Sequence, residues 1–284
     1  MPVSWQPFIS HYVSPRMKLS IITINYNNLA GLQRTIDSVL CQTWKDFEWI
    51  VIDGGSTDGS KELIDKYQKH FSYWCSEPDK GVYNAMNKGI EHASGDYLQF
   101  LNSGDSYHCA DSLKQVFERW EDADIVYGDL NFMSEEGGVV TRYPEKLTLH
   151  YFLSHSIGHP ASFIKSSLLK AKGYREDFKI VSDWYRFLEW FREGRSFSHL
   201  PVIVADYDTT GMSSVNLDQI ERENEIVYKE VFGNANRAWI EESRQMQLRY
   251  EEDTRLSFQR IKACGGRRWS LLCYLMRLLN KTIK

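Results

Sequence analysis

The sequence predicts an α/β fold with a mixed, mostly parallel sheet flanked by helices, and three observations predict it. Apolar strand-like runs alternate with stretches of helical spacing from residue 19 onward, the pattern of parallel strands joined by crossover helices. The runs end in short-chained polar residues, at the carboxyl edge where open α/β sheets bind ligands. The chain has 284 residues, 42% of them hydrophobic, enough for one large domain with a buried core.

The elements follow in order. Residues 19–24 are a β-branched apolar run, a buried strand by composition. Asn27 and Asn28 break it, and Leu32, Ile36, Val39 and Leu40 continue at helical spacing. A second buried strand at 47–52 runs into the turn-forming stretch Asp53-Gly54-Gly55-Ser56-Thr57-Asp58-Gly59, and Leu63, Ile64 and Tyr67 restore the helical period. Further strands are expected at 71–75, 97–101 and 124–127, and a helix at 182–193. Beyond residue 150 the pattern turns polar-aromatic, with His150, His155 and His159, and residues 216–262 read as strongly charged helix.

Bulk properties exclude several classes. A net charge of −4 gives no global attraction to nucleic acid. Five scattered cysteines without a CxxC pair argue against a zinc site or disulfide framework and point to a reducing compartment. Residues 1–17 read as a loose leader with Pro2, Pro7 and Pro15, and Met17 is an alternative start. No apolar signal region and no run of eighteen apolar residues is present, so neither secretion by a signal peptide nor a spanning helix is expected.

Three strand ends carry the candidate chemistry: Asn25-Tyr26-Asn27, Asp53-Gly54-Gly55 and Asn102-Ser103-Gly104-Asp105. Such clustering favours a phosphate-bearing ligand. Asp105 can approach a diphosphate only with Mg²⁺ or Mn²⁺ between the like charges. Gly104, lacking a Cβ, lets the backbone come close to ribose or phosphate. Asp53 can accept a hydrogen bond from a base or ribose, whereas Asp58 reads as a helix N-terminal residue or a turn former. The stretch is also an ordinary turn, and the tetrapeptide at 102–105 an ordinary type I turn. Lys80, beside Gly81, can meet a diphosphate or stand as a solvated turn. Asp183, at the start of an aromatic helix beside Trp184, is a cap or a general base. His159, ahead of Pro160, is structural or touches phosphate, metal or acceptor.

Taken together, these stretches resemble family 2 glycosyltransferases. The matching segments are Ser20-Ile21-Ile22-Thr23-Ile24-Asn25-Tyr26-Asn27, Gln42-Thr43, Val51 through Gly59, Gly81-Val82-Tyr83-Asn84-Ala85-Met86-Asn87-Lys88-Gly89 and Asn102-Ser103-Gly104-Asp105, in family order over roughly residues 18–210. The resemblance implies a GT-A (Rossmann-like) catalytic domain at 18–212, with a nucleotide-binding half (18–105), an acceptor half (106–212) and a C-terminal helical extension (213–284). It implies an inverting, metal-dependent transfer from a nucleotide-sugar donor, UDP-linked by default, to a glycan or lipid-linked acceptor, as in bacterial polysaccharide and O-antigen synthesis. Asn25, Tyr26, Asp53, Lys80 and Gly104 would meet the nucleotide and Asp105 the metal. Asp183 would be the base, and His159 and Trp184 would face acceptor or diphosphate. Two departures stand out: Gly54 replaces a second aspartate that in relatives often meets the base, and Asn102 and Gly104 replace acids of the DxD motif.

Rival readings are weaker. A nucleotidyltransferase needs a glycine-rich, arginine-bearing loop after its first strand, and a dehydrogenase needs GxGxxG there; Asn25-Tyr26-Asn27-Asn28 is neither. A nucleotide-sugar binder without catalysis would have no need of Asp183. Residues 267–284 carry five basic residues and no acidic one. This segment admits two readings: a helix on an anionic membrane surface, placing the enzyme on the cytoplasmic face, or a helix packed on protein.

Overall fold

The computed structural model describes residues 18–134, 137–210 and 216–233, with a few positions between 240 and 249. The leader at 1–17 and the basic segment at 265–284 lie outside the described residues. The chain divides into two compact units, Met1–Leu147 with Ser156–Val227, and Thr148–His155 with Tyr228–Lys284. The first carries the sheet.

Its strands are β1 (Leu19–Asn25), β2 (Phe47–Asp53), β3 (Tyr73–Ser76), β4 (Tyr97–Phe100), β5 (Ser106–Tyr107), β6 (Ile125–Ser134), β7 (Gly137–Thr141), β8 (Ser162–Lys165) and β9 (Phe197–Asp208). They order as β3-β2-β1-β4-β8-β6-β9-β5, with β7 paired to β6. β1 to β4 are parallel neighbours, β8 runs against β4 and β6, and β9 runs with β6. Six strands therefore point the same way, and their carboxyl ends share one edge. All seven residues of β1 are buried, as a central strand covered on both faces requires.

The helices are α1 (Leu29–Leu40), α2 (Ser60–Tyr67), α3 (Val82–His92), α4 (Ser112–Glu118), α5 (Leu149–Ser154), α6 (Ser166–Ala171), α7 (Ser182–Arg192) and α8 (Leu217–Phe232). In α1 the expected stripe of Leu32, Ile36 and Val39 is buried, and Asn28 caps the helix by accepting from Gly31 N–H at 3.0 Å. α3 packs on β1 and β2 at Gly89, where a Cβ would stand 2.5 Å from Ile22 Cγ2. No helix among the described residues is long and apolar enough to cross a membrane.

The elements expected up to residue 193 are present with shifts at their ends; of the charged helical stretch expected at 216–262, Leu217–Phe232 is helix and most of the remainder lies outside the described residues. The third strand begins at Tyr73 rather than 71, because a 3-10 turn, Gln68–His70, prolongs α2. The strand expected at 124–127 continues to Ser134 as one arm of a hairpin. β9 was not anticipated. Its alternating Leu200, Val202 and Val204 are buried, but Pro201 stands among them, and proline argues against a central strand. The structure resolves the conflict with an irregularity: Tyr127 pairs with His199 and Asp129 with Ile203, so Pro201 falls where the register shifts.

At the amino edge of the sheet, Glu48 ties three parallel strands together. It accepts from Lys18 Nζ, Ser20 Oγ, and the Ser94 and Gly95 backbone N–H groups, with Ser94 Oγ as a further donor. Burial works to raise its pKa, but these donors prevail and hold it at about 2.

Candidate active site

The carboxyl edge gathers the residues singled out from sequence into three groups. The first closes the ends of β1, β2 and β3. Asp53 is fully buried. Its Oδ1 accepts from Asn25 Nδ2 (2.7 Å) and Ser56 Oγ (2.6 Å), and its Oδ2 from Ser56 N–H (2.9 Å) and Ser76 Oγ (2.7 Å). Burial would raise Asp53, yet the bonds from Ser56, Ser76 and Asn25 outweigh it and keep the carboxyl below its ordinary value. Asn25 Oδ1 is buried without a partner among the described residues. Tyr26 is 67% exposed, set outward by the left-handed turn at Asn27 (φ 47°), whose Oδ1 accepts from Thr57 N–H. Lys80 is exposed; its backbone N–H donates to Asn84 Oδ1 at the start of α3. Asp58 precedes the N-cap residue Gly59 of α2 and accepts from Ser60 N–H and from Leu29 N–H at the head of α1.

The second group surrounds Asp105. This carboxylate is 5% exposed, and its Oδ1 accepts from the Asp208 backbone N–H at 3.0 Å. Burial, and also the neighbouring Asp208 carboxylate, push it up to about 7, although the Asp208 N–H and Arg34 pull the other way. Asp208 ends β9. Its Oδ2 meets Arg34 Nη2 at 2.5 Å, and its Oδ1 accepts from Thr210 N–H and Oγ1. Gly104 has φ 110°, and a Cβ on it would stand 3.1 Å from Asp208 Oδ2. The Asp208 carboxylate therefore lies over the glycine that interrupts the acidic motif.

This donor set suits a divalent cation shared with a ligand. Among the described residues no group of three His, Cys, Asp or Glu side chains could hold a metal alone. Two adjacent carboxylates, one of them raised by burial and by its neighbour, would leave the other positions to phosphate and water, the usual arrangement for Mg²⁺ at phosphates.

The third group lies beside the end of β4, where the His159 ring stacks on Phe100 with centroids 4.9 Å apart. Asp183, in the first turn of α7, accepts from Tyr83 Oη at 2.8 Å on Oδ1. Its Oδ2 faces His159 Nδ1 at 3.8 Å, too far for a direct hydrogen bond. His159 Nε2 bonds Tyr174 Oη at 2.7 Å. Burial holds His159 below its ordinary pKa and favours the neutral ring, against the opposing pull of Asp183. Tyr83 also receives Ser182 N–H and reaches Ile180 O. Burial, then Asp183, raise it far above the usual phenol value and keep it a donor. Trp184 is 8% exposed; as placed it supports α7 and offers a ligand little surface.

The approach to α7 is clamped from outside. Glu223 of α8 is 2% exposed and accepts from three consecutive backbone N–H groups, Lys179 (2.7 Å), Ile180 (3.0 Å) and Val181 (3.1 Å). These form an anion-binding nest that an internal carboxylate fills.

The model of glycosyl transferase family 2 matches residues 20–181, more than half of the chain. The chain belongs to this family. It is 39% identical over 202 residues to an uncharacterized glycosyltransferase of Mycobacterium tuberculosis, covering 69% of this chain and 77% of that protein. It is 31% identical over 201 residues to a PGL/p-HBAD biosynthesis glycosyltransferase of Mycobacterium bovis, covering 68% and 77%. Among solved structures it resembles Staphylococcus aureus TarS residues 1–349 in complex with UDP-GlcNAc, with TM-score 0.59, 18% identity, and coverage of 80% of this chain and 70% of that one. It also resembles the mannosyltransferase PcManGT of Pyrobaculum calidifontis in complex with GDP-Man and Mn²⁺, with TM-score 0.58, 14% identity, and coverage of 94% and 81%. The fold of this family 2 member is GT-A.

Asp183, Asp208 and Glu223 lie beyond the residues the family model matches. Sequence reading reached Asp183 but missed Asp208, Arg34, Glu223, Tyr83 and Tyr174 as site residues. Tyr83 was within reach, since it belongs to the segment 81–89 that carries the resemblance. Asp208 depended on recognising β9.

Proposed function

We propose that this glycosyltransferase is inverting and metal-dependent, moving a sugar from a nucleotide diphosphate donor, UDP-linked by preference, to a glycan or lipid-linked acceptor in cell-surface polysaccharide or glycolipid synthesis. The observation that carries the proposal is the posture of Asp183. One oxygen is fixed by Tyr83, and the other faces the buried His159 ring across 3.8 Å, open to a substrate hydroxyl. A binding protein would have no use for a carboxylate held in this way.

In this reading Asp183 Oδ2 takes the proton of the acceptor hydroxyl as its oxygen attacks the anomeric carbon, on the face opposite the departing nucleoside diphosphate. Asp105 and Asp208 would hold the divalent cation, and Arg34 offers a further positive charge beside them. When bound, the cation supplies neutralisation of the charge that builds on the leaving diphosphate. Nucleotide sugars bound by TarS and PcManGT support the donor class, and the mycobacterial relative's part in PGL/p-HBAD synthesis supports a lipid-linked acceptor. Cys41, Cys75 and Cys109 are free thiols, which suits the cytoplasmic face of a membrane.

Asp183→Asn tests the assignment. Tyr83 can still donate to the amide oxygen, so the helix start is kept. Transfer should fall on the order of 10²–10⁴-fold, the contribution of a general base, while calorimetric binding of the nucleoside diphosphate stays within about twofold. Retained turnover would remove Asp183 from the role.

A further inference from the structure

The segment Asp53-Gly54-Gly55 carries one carboxylate, and that carboxylate is saturated. Asp53 takes four hydrogen bonds, two on each oxygen, from Asn25, Ser56 and Ser76, which is about the full acceptor capacity of a carboxylate. It is also completely buried. A base N–H arriving at this strand end would find no free lone pair on Asp53.

A second carboxylate lies over the next residue. Asp79, in the loop between β3 and α3, places Oδ2 2.6 Å from the point where a Cβ on Gly54 would stand, and Tyr26 Cδ2 is 3.2 Å from the same point. The adjacent Gly55, at φ 81°, would set its own Cβ 3.0 Å from the Pro78 nitrogen. The two glycines thus let the loop at 77–79 lie down on the strand end, and any side chain at 54 would displace Asp79. Asp79 Oδ1 accepts from Gly81 N–H at 2.8 Å, while Oδ2 accepts from no described residue. The result is a carboxylate anchored by one oxygen and open at the other, beside the exposed ring of Tyr26.

We infer that Asp79 reads the nucleobase of the donor, with Tyr26 offering its ring face and Asp79 Oδ2 accepting the ring N–H of uracil, thymine or guanine. Cytosine and adenine present an unprotonated ring nitrogen at the corresponding edge, so two lone pairs would oppose each other and leave the half-buried Asp79 acceptor unpaired. Gly54 is then the counterpart of Asp79: the acid missing from the strand end is supplied from the neighbouring loop. This inference rests on the donor reading above and specifies its base.

The test is calorimetry in Mn²⁺ with UDP and 3-methyluridine 5′-diphosphate, or with GDP and 1-methylguanosine 5′-diphosphate if guanosine is the donor nucleoside. The wild type should prefer the unmethylated nucleotide by roughly tenfold or more. Asp79→Asn retains Oδ1 for Gly81 N–H but turns a donor toward the base, and should reduce that preference to within about twofold at an unchanged melting temperature. Glu48→Gln, at the opposite edge of the sheet, should lower the melting temperature while keeping the preference. An undiminished preference in Asp79→Asn, or tighter binding of CDP or ADP by the wild type, overturns the assignment. Failure of every nucleoside diphosphate to bind the wild type overturns the donor reading itself.

Discussion

Asp105 shows how much one residue's surroundings change its chemistry. As a free side chain it would ionise near 3.8, and in the folded chain burial and the Asp208 carboxylate move it to about 7. A carboxyl raised on folding holds its proton more tightly in the native state, so stability falls as pH rises from about 3.8 to about 7 and levels off above. The metal-free protein should therefore lose thermal stability over that interval relative to Asp105→Asn, and Mn²⁺ with nucleotide should restore it by favouring the charged form. Melting curves from pH 4 to 8 with EDTA or Mn²⁺ check both parts. Asp208→Asn should weaken Mn²⁺-dependent nucleotide binding by roughly tenfold or more, the cost of losing one charged ligand, with little effect in EDTA. Equal binding by the variant would remove Asp208 from the metal site. Asp105 was readable from sequence because it closes a strand and a polar turn. Asp208 was not, since it stands about a hundred residues downstream and reaches Asp105 only through sheet pairing.

At the scale of elements, two carboxylates perform structural work from opposite edges of the sheet. Glu223 links α8 to the start of α7 through the backbone N–H groups of residues 179–181, and Ile180 and Ser182 in turn contact Tyr83. Glu223→Gln should lower kcat by roughly tenfold through a misplaced Asp183, leave nucleotide binding unchanged, and be partly rescued by Glu223→Asp. Steady-state kinetics beside calorimetry separates this from general unfolding, which would lower both. Glu48 acts at the amino edge. Its folded pKa is depressed to about 2, so its contribution is present above its ordinary value of 4.5 and is lost as pH falls toward 2. Glu48→Gln should melt roughly 2–6 °C lower than the wild type at pH 7, and the two should converge near pH 2. The helices and first two strands were legible because apolar period and caps agree in them, as with Asn28 and the Leu32, Ile36 and Val39 stripe of α1. β9 was hidden by Pro201, whose tolerance depends on a register shift against β6 that no local pattern records.

For the whole molecule, the order β3-β2-β1-β4-β8-β6-β9-β5 brings Asn25, Asp53, Ser76, Asp105 and Asp208 to one edge although they span most of the sequence. Parallel alternation made residues 18–105 readable, because each crossover returns the chain to the same edge. Residues 106–212 were less readable: their strands run both ways, and the parts that fix Asp183 come from α3, the loop at 172–181 and α8. The same topology explains why two motif glycines carry no loss of acid, since Asp79 and Asp208 fold over Gly54 and Gly104 from other segments. The central claim is that this edge is a metal-dependent site for a nucleoside diphosphate. Calorimetric titration with UDP and with GDP, each in Mn²⁺ and in EDTA, tests it most directly. The account predicts that one nucleotide binds in Mn²⁺ and at least roughly tenfold more weakly in EDTA; binding of neither, or equal binding in both buffers, would contradict it.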